Sequence, residues 1–469
     1  MSNEVRKYDA IVVGAGPGGY PCAIRLAQLG VKTLCIEKEY WGGVCLNVGC
    51  IPSKALITAA KKYQDVSKLA EMGIDLADTS RTLNVEKLQE WKRSVVGKLT
   101  GGVRTLLDKN GADRLFGTAT FTGPKTLEVQ TEDGVVKVEC NHLVLAMGSR
   151  PIEIPGFSYA DERILDSTKA LDLDHIPKKI VVIGGGYIGM ELGMMLNKVG
   201  AEITIVEMQD QILPGFDPDV IKMFNRKLKK VGITVHLGSK ALGWEEGEDG
   251  AVVKIETPKG VVELPADRIL VTVGRRPNSE GLDAVGVEKD RRGHIIIDRQ
   301  LKTNVPGVYA IGDVATGIML AHKATHEGEI CAEVIAGHAA FDDHRTVPAV
   351  VFTDPEIAVA GLQEHEAREK GYTIKVGKVP YAAVGRALTT NDTEGFYKVV
   401  LDAADDRVLG VTLVGHGASD LISEAALAIE MDAEGLDIGL TIHPHPTMGE
   451  GVMEAAKAAL GQAVHILNR

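Results

Sequence analysis

Two stretches of the chain share one order of apolar and polar positions. DAIVVGAGPGGYPCAIRLAQLGVKTLCIEK, from Asp9, and KIVVIGGGYIGMELGMMLNKVGAEITIVEM, from Lys179, each run from a short apolar strand through G-x-G-x-x-G into a helical period, then a glycine, a second β-rich run and an acid. One constant shift carries Gly14 onto Gly184, Gly30 onto Gly200 and Glu37 onto Glu207. Residues 114–138 and 251–265 alternate apolar and polar around D-G and K-G turns, which predicts an antiparallel meander appended to each repeat. VLAMGSRP (144–151) and VTVGRRPN (271–278) each end a strand at a glycine, Gly148 and Gly274, with Arg and Pro following, the mark of a crossover between domains. From about residue 349 longer helices surround β runs such as FYKVVLDAADDRVLGVTLVG, so a last domain begins there.

The repeated unit has a physical purpose. Gly14 and Gly184 permit the tight turn after the strand, Gly16 and Gly186 let a pyrophosphate approach the backbone, and Gly19 and Gly189 let helix and strand pack closely. The helix N-terminus then turns its N–H groups and positive dipole end toward the phosphates. Glu37 and Glu207, each closing the second strand, are placed to accept from ribose hydroxyls. Strand, glycines, helix and acid occurring together twice predict two bound dinucleotides.

Composition narrows the classes. A chain of 469 residues exceeds what one core normally covers. With 45% hydrophobic and 25% charged residues it reads as globular rather than disordered. The net charge of −12, with no long block of one sign, makes nucleic acid an unexpected partner. The N-terminal MSNEVRKYDAIVVGAG goes straight into a strand-like run without a signal-peptide or presequence pattern. Longer apolar runs are interrupted by Gly or charge before about 18 residues, so no membrane span is expected and the chain reads as cytoplasmic, or already processed.

Six cysteines are too few for a secreted disulfide framework, and Cys22, Cys35, Cys140 and Cys331 read as small buried hydrophobes. Cys45 and Cys50, in GGVCLNVGCIPSK, stand apart. A zinc site would need further ligands at compatible spacing, and no metal is expected. Two thiols at the start of a helix, where the dipole favours thiolate, suit a reversible disulfide. Pro52 disfavours helix at Ile51 and then starts or bends the helix.

CLNVGCIPSK after a first G-x-G-x-x-G, with a second later, resembles the flavin-dependent pyridine nucleotide-disulfide oxidoreductases over essentially the whole chain. The resemblance implies an α/β fold of two Rossmann-like domains with antiparallel meanders and a C-terminal α+β interface domain. The expected boundaries are 1–150 for FAD binding, 151–276 for NAD binding, 277–348 for a central segment returning to FAD, and 349–469 for dimerisation. It implies that Cys45 and Cys50 are the redox-active pair, and that Gly14, Gly16, Gly19, Glu37 and Gly148 serve FAD, with Gly184, Gly186, Gly189, Glu207 and Gly274 serving NAD. VYAIGDV matches the second FAD motif, with Asp313 on the ribityl chain, and Met319, Leu320, Ala321 and His322 match the turn at the flavin's pyrimidine end. Lys54 and Glu191 match an ion pair near the flavin, and Tyr187 the side chain that covers the flavin's nicotinamide face. HPHPTMGE matches H-x-H-P-T-x-x-E, giving His445 as acid/base and Glu450 as its orienting partner. Chemistry independently favours this last pair: a substrate dithiol needs a base, imidazole titrates near neutrality, and a carboxylate can fix its tautomer.

Within the family, NADPH-dependent members carry arginines after the second fingerprint. ITIVEMQDQIL has none, and Glu207 would repel a 2′-phosphate, so NAD is expected over NADP. The chain is most similar to the dihydrolipoamide-oxidising members. That implies a homodimer serving lipoyl-bearing acyltransferase subunits of 2-oxoacid dehydrogenase complexes, or the lipoyl protein of glycine cleavage. Pro444, Gly449 and Met147 depart from the usual motifs without removing a reacting group, although Gly449 is expected to loosen Glu450.

Overall fold

The computed structural model describes residues 5–76, 82–248 and 250–468. The chain forms two compact units, Met1–Ile176 with Val271–Asp343, and Pro177–Leu270 with His344–Arg469.

In the first unit a seven-stranded sheet is built on Arg6–Val13. This strand pairs in parallel with Thr33–Glu37 on one side and Gly134–Leu145 on the other, and Asp113–Phe116 extends the parallel edge. Successive side chains point to opposite faces of a strand. Ala10 and Val12 accordingly join a core with Cys22 and Leu26 of the helix Gly19–Gln28, while Ile11 and Val13 join a second core with Leu127, Val129 and Val308. Burial on both faces is the condition that parallel sheets require. The long strand Gly134–Leu145 serves two masters: its first half closes the antiparallel meander with Thr126–Thr131 and Thr118–Gly123, and its second half receives Val308–Ala310 in parallel.

In the second unit Lys179–Ile183, Glu202–Val206 and Thr234–His236 run parallel, and Lys240–Gly247, Gly250–Thr257 and Gly260–Ala266 form the second meander. A five-stranded antiparallel sheet follows, in the order Ala349–Val351, Ile357–Gly361, Val408–Val414, Phe396–Asp402 and Ile374–Pro380. It shares one core with the helices Ala418–Glu430 and Glu450–Ala459. The tyrosines Tyr381 and Tyr397 stack there with centroids 4.2 Å apart.

The expected α/β architecture and its meanders are present, with two shifts of register. Asp113–Phe116 belongs to the parallel sheet, not the meander, because it pairs with Thr33–Glu37. The second meander starts at Lys240, earlier than the alternation beginning at 251, because KALGWEEG is half-exposed and shows no clean period of two. The helical stretch Gly43–Met72 is long and apolar enough by composition to cross a membrane. Its segment Cys50–Asp65 packs on the helix Val85–Asn110.

Candidate functional site

The first glycine loop is shaped by contacts that only glycine tolerates. Gly14 has φ +102°, and a Cβ there would stand 2.3 Å from the Ala146 carbonyl oxygen; a Cβ on Gly19 would stand 1.8 Å from that of Gly14. Among the described residues no side chain caps the helix Gly19–Gln28, so its N-terminus keeps the donors and positive end that suit a phosphate. Glu37 is occupied more fully than expected. Its Oε1 accepts the N–H groups of Lys38, Glu39 and Tyr40 at 2.9, 2.7 and 3.1 Å, and its Oε2 accepts that of Ala15 at 2.8 Å. A carboxylate offers about four acceptor positions. The room for a ribose hydroxyl is therefore at Oε2, and the same side chain locks the glycine loop to the end of its strand.

The cysteine segment is seated on that loop. The Gly42 N–H donates to the Ala15 carbonyl at 2.9 Å, and a Cβ on Gly43 would lie 2.6 Å from the Cα of Gly16. Two helices follow rather than one: Gly43–Val48 carries Cys45, and Cys50–Asp65 begins with Cys50. Ile51 is helical, contrary to the expectation set by Pro52, because proline is tolerated in a first turn. Neither cysteine is in a disulfide. The expected fall in cysteine pKa does not hold at Cys45: the hydrogen bond with Cys50, burial and the Cys50 charge push its thiol up, and nearby Lys54 only partly opposes them. In a close dithiol one proton is retained between the two sulfurs.

Asp313 sits in the turn Gly312–Val314. The Ser149 hydroxyl donates to its Oδ2 at 2.6 Å, and Arg275 Nε donates to the Ser149 hydroxyl at 2.8 Å. The Gly312 N–H donates to the buried Glu327 carboxylate at 2.7 Å, and Glu327 pairs with Lys323. Sequence reasoning named Ser149, Arg275, Lys323 and Glu327 for no role; the SRP and RRP crossovers, which pair as strands Ser149–Pro151 and Arg275–Pro277, were the available signal for the first two. Gly148 accepts from Asn278 N–H at 2.9 Å, and Gly274 from Ile152 N–H at 3.1 Å, so Gly274 lies in the first unit. Met319 and Leu320 precede the helix Ala321–Ile335, which holds Ala321 and His322 in its first turn; the Leu320 N–H is already given to the Ile318 carbonyl at 3.1 Å.

The second fingerprint repeats the first. Gly184 has φ +102°, and its N–H reaches the Val206 carbonyl at 2.9 Å as that of Gly14 reaches Ile36 at 2.8 Å. Glu207 is buried, accepts Gly185 N–H at Oε2 (2.6 Å) and Gln209 N–H at Oε1 (2.8 Å), and keeps one position on each oxygen for a ribose diol. Gly186 caps the helix Tyr187–Lys198, where Tyr187 is exposed, Gly189 is buried, and the buried Glu191 accepts from Phe352 N–H at 2.8 Å.

In the C-terminal segment His445 Nδ1 lies 2.9 Å from Glu450 Oε1, and the Thr447 N–H donates to Glu450 Oε2 at 2.8 Å. Burial raises the Glu450 pKa, but the Thr447 N–H, the His445 ring and its charge hold it below the ordinary value. Gly449, at φ −61°, is the N-cap of the helix that begins with Glu450. Nearby, Leu427, Met431, Leu440 and Ile442 are 63%, 72%, 71% and 94% exposed, an apolar set that a partner would cover.

Residues 8–328 match the model of the pyridine nucleotide-disulphide oxidoreductases, and residues 347–456 match that family's dimerisation domain. The chain belongs to this family. Relatives named dihydrolipoyl dehydrogenase are 49% identical in Bacillus subtilis over 462 residues, 48% in Geobacillus stearothermophilus over 463 and 47% in Haloferax volcanii over 468, each covering 98% of both chains. Among solved structures, the HOCl-induced flavoprotein disulfide reductase RclA of Escherichia coli superposes with a TM-score of 0.86 at 26% identity, covering 96% of this chain and 99% of that one. As a member of this family the chain is an oxidoreductase whose cofactors are FAD and NAD, and its dimerisation domain supports a homodimer.

Proposed function

We propose that the protein oxidises dihydrolipoyl groups borne by acyltransferase subunits of 2-oxoacid dehydrogenase complexes, or by the lipoyl protein of glycine cleavage, and reduces NAD⁺. The observation that carries this reading is the Cys45–Cys50 thiol pair mounted on the first glycine loop, together with a histidine–carboxylate pair at His445 and Glu450. In the oxidised enzyme the two sulfurs form a disulfide. His445 takes a proton from one substrate thiol, the thiolate attacks Cys45, and Cys50 leaves as thiolate. The second substrate sulfur then attacks the substrate-side sulfur of the mixed disulfide, its proton passing to the departing Cys45, and closes the cyclic substrate disulfide. Glu450 holds the His445 ring by its Nδ1 and stabilises the imidazolium while it keeps the proton. The first glycine loop, Glu37 and Asp313 would hold FAD, the second loop and Glu207 would hold NAD⁺, and the flavin would supply the two-electron chemistry that links the Cys45–Cys50 dithiol to the nicotinamide.

By analogy with the family, His445 of one subunit serves the cysteine pair of the other, so the dimer is the active form. Cys22, Cys35, Cys140 and Cys331 persist as buried thiols, which suits a reducing cytoplasm. The test is the initial rate of nucleotide reduction by the purified yellow protein with free dihydrolipoamide, NAD⁺ against NADP⁺. Fast reduction of NAD⁺ alone is expected. No turnover by FAD-loaded protein with either nucleotide would overturn the reading.

A further inference from the structure

His443 lies two residues before His445, yet its side chain is 7% exposed against 77% for His445. Its Nδ1 is 2.8 Å from the Thr441 carbonyl oxygen, and its Nε2 is 2.8 Å from Oε1 of Glu424 on the helix Ala418–Glu430. A carbonyl and a carboxylate only accept hydrogen bonds. Each ring nitrogen thus faces an acceptor, and the ring bridges Thr441 and Glu424. The ring also sits beside Gly449, where a Cβ would stand 3.4 Å from His443 Cδ2. One side chain thus braces both arms of the turn that presents His445: Thr441 before it, and Gly449 directly before Glu450. The turn has no regular secondary structure of its own to hold it, so its shape depends on such anchors.

We propose that His443, bridging Thr441 and Glu424, is a positioning residue that holds the His445–Glu450 pair in its working geometry. The proposal rests on the reading of that pair as the acid/base of thiol oxidation. Losing either contact frees the ring from Thr441 or from Glu424, and with it the turn that the ring braces. A hydrogen bond to the Glu424 carboxylate is charge-assisted, stronger and shorter than a neutral one, which suits a brace on an otherwise exposed loop. The anchoring helix shares the core of the C-terminal sheet through Ile422, Ala425 and Ile429, so the brace transmits the order of that core to the turn.

The experiment compares the parent, His443→Gln, Glu424→Gln and His445→Gln as FAD-loaded dimers in two reactions. One is dihydrolipoamide oxidation by NAD⁺; the other is NADH oxidation by ferricyanide, which needs no base at a substrate thiol. His443→Gln is expected to lower kcat for dihydrolipoamide about tenfold, a part of what an acid/base group supplies, with KM for NAD⁺ and the ferricyanide rate within about twofold of the parent. Glu424→Gln keeps an acceptor but loses the charge, so a smaller loss in the same reaction is expected; it also tests the brace should His443→Gln fail to fold. The double variant His443→Gln/Glu424→Gln, made alongside these, should lose no more than His443→Gln alone, because the two residues act as one pair. Unchanged dihydrolipoamide turnover in both single variants, or an equal fall in both reactions, would overturn the proposal. If instead the parent fails to turn over or His445→Gln retains activity, the site reading itself falls, and the proposal with it.

Discussion

Replacing Glu207 by Gln tests the nucleotide choice at one atom. The carboxylate is buried, holds Gly185 and Gln209 by their N–H groups, and has one acceptor position left on each oxygen. Glutamine keeps one accepting oxygen but loses the charge and gains two donors. A hydrogen bond to a charged group contributes about 1.5–3 kcal/mol and a neutral one about 1, so kcat/KM for NAD⁺ should fall roughly tenfold. The opposite effect acts on NADP⁺. Two unit charges about 5 Å apart at an effective dielectric near 20 repel by about 3 kcal/mol, of which salt and a solvated phosphate leave on the order of 1–2. Removing the carboxylate charge therefore relieves roughly a factor of ten against NADP⁺. Together the preference for NAD⁺ should narrow by about 100-fold, equivalent to about 2.7 kcal/mol. The assay is steady-state reduction of each nucleotide by dihydrolipoamide, with FAD content checked by absorbance. A preference that stays within threefold of the parent, in protein with full FAD, refutes the role given to Glu207.

Cys45→Ser should abolish dihydrolipoamide oxidation while leaving bound FAD and ferricyanide reduction by NADH, because only the thiol step needs that sulfur; equal loss of both rates would contradict the assignment. Gly14→Ala should prevent accumulation of FAD-loaded protein, since its Cβ would meet the Ala146 oxygen at 2.3 Å at a φ of +102°; soluble yellow protein from that variant would refute the steric argument. Lys398 is 2% exposed and pairs with Asp217 at 2.9 Å, Asp219 at 2.8 Å and Glu364 at 3.2 Å. Lys398→Met leaves those carboxylates without their common cation and should destabilise the second unit by about 3–5 kcal/mol, read as a lowered Tm. For Asp217 and Asp219 burial raises the pKa, but hydrogen bonds from Lys398, with His365 at Asp217 and Lys378 at Asp219, bring the net shift below the ordinary value. A depressed carboxylate contributes stability above its unfolded pKa, about 3.9, which is lost as pH falls through the folded value. Parent stability should therefore drop below about pH 4, and Lys398→Met should drop less steeply; parallel curves would contradict this linkage.

What could be read along the chain was what the backbone constrains locally. The two glycine loops were legible because a left-handed glycine, a helix start and a terminal acid fall within one strand–helix–strand pitch, and Gly14 and Gly184 share the same φ and the same hydrogen bond. The Cys45–Cys50 pair and the His445–Glu450 pair were legible for the same reason, each lying within five positions. Charges paired across the fold left no such period. Ser149 meets Asp313 across 164 positions and Arg275 meets Ser149 across 126, so the polar chain behind the second flavin motif had no local signal. Lys398 misleads outright: a lysine in a β run reads as the solvent face, yet every residue of Phe396–Asp402 is buried and three carboxylates from elsewhere receive its ammonium. The error at Cys45 has a related origin. A helix dipole is a modest, screened term near the terminus, whereas a second thiol within hydrogen-bonding reach acts directly on the proton, so the nearest partner in space outweighs the element that carries the residue. His443 follows the same logic. Its neighbour His445 shares its sequence motif, but Glu424 and Thr441, facing its two nitrogens, are what distinguish a buried brace from an exposed base.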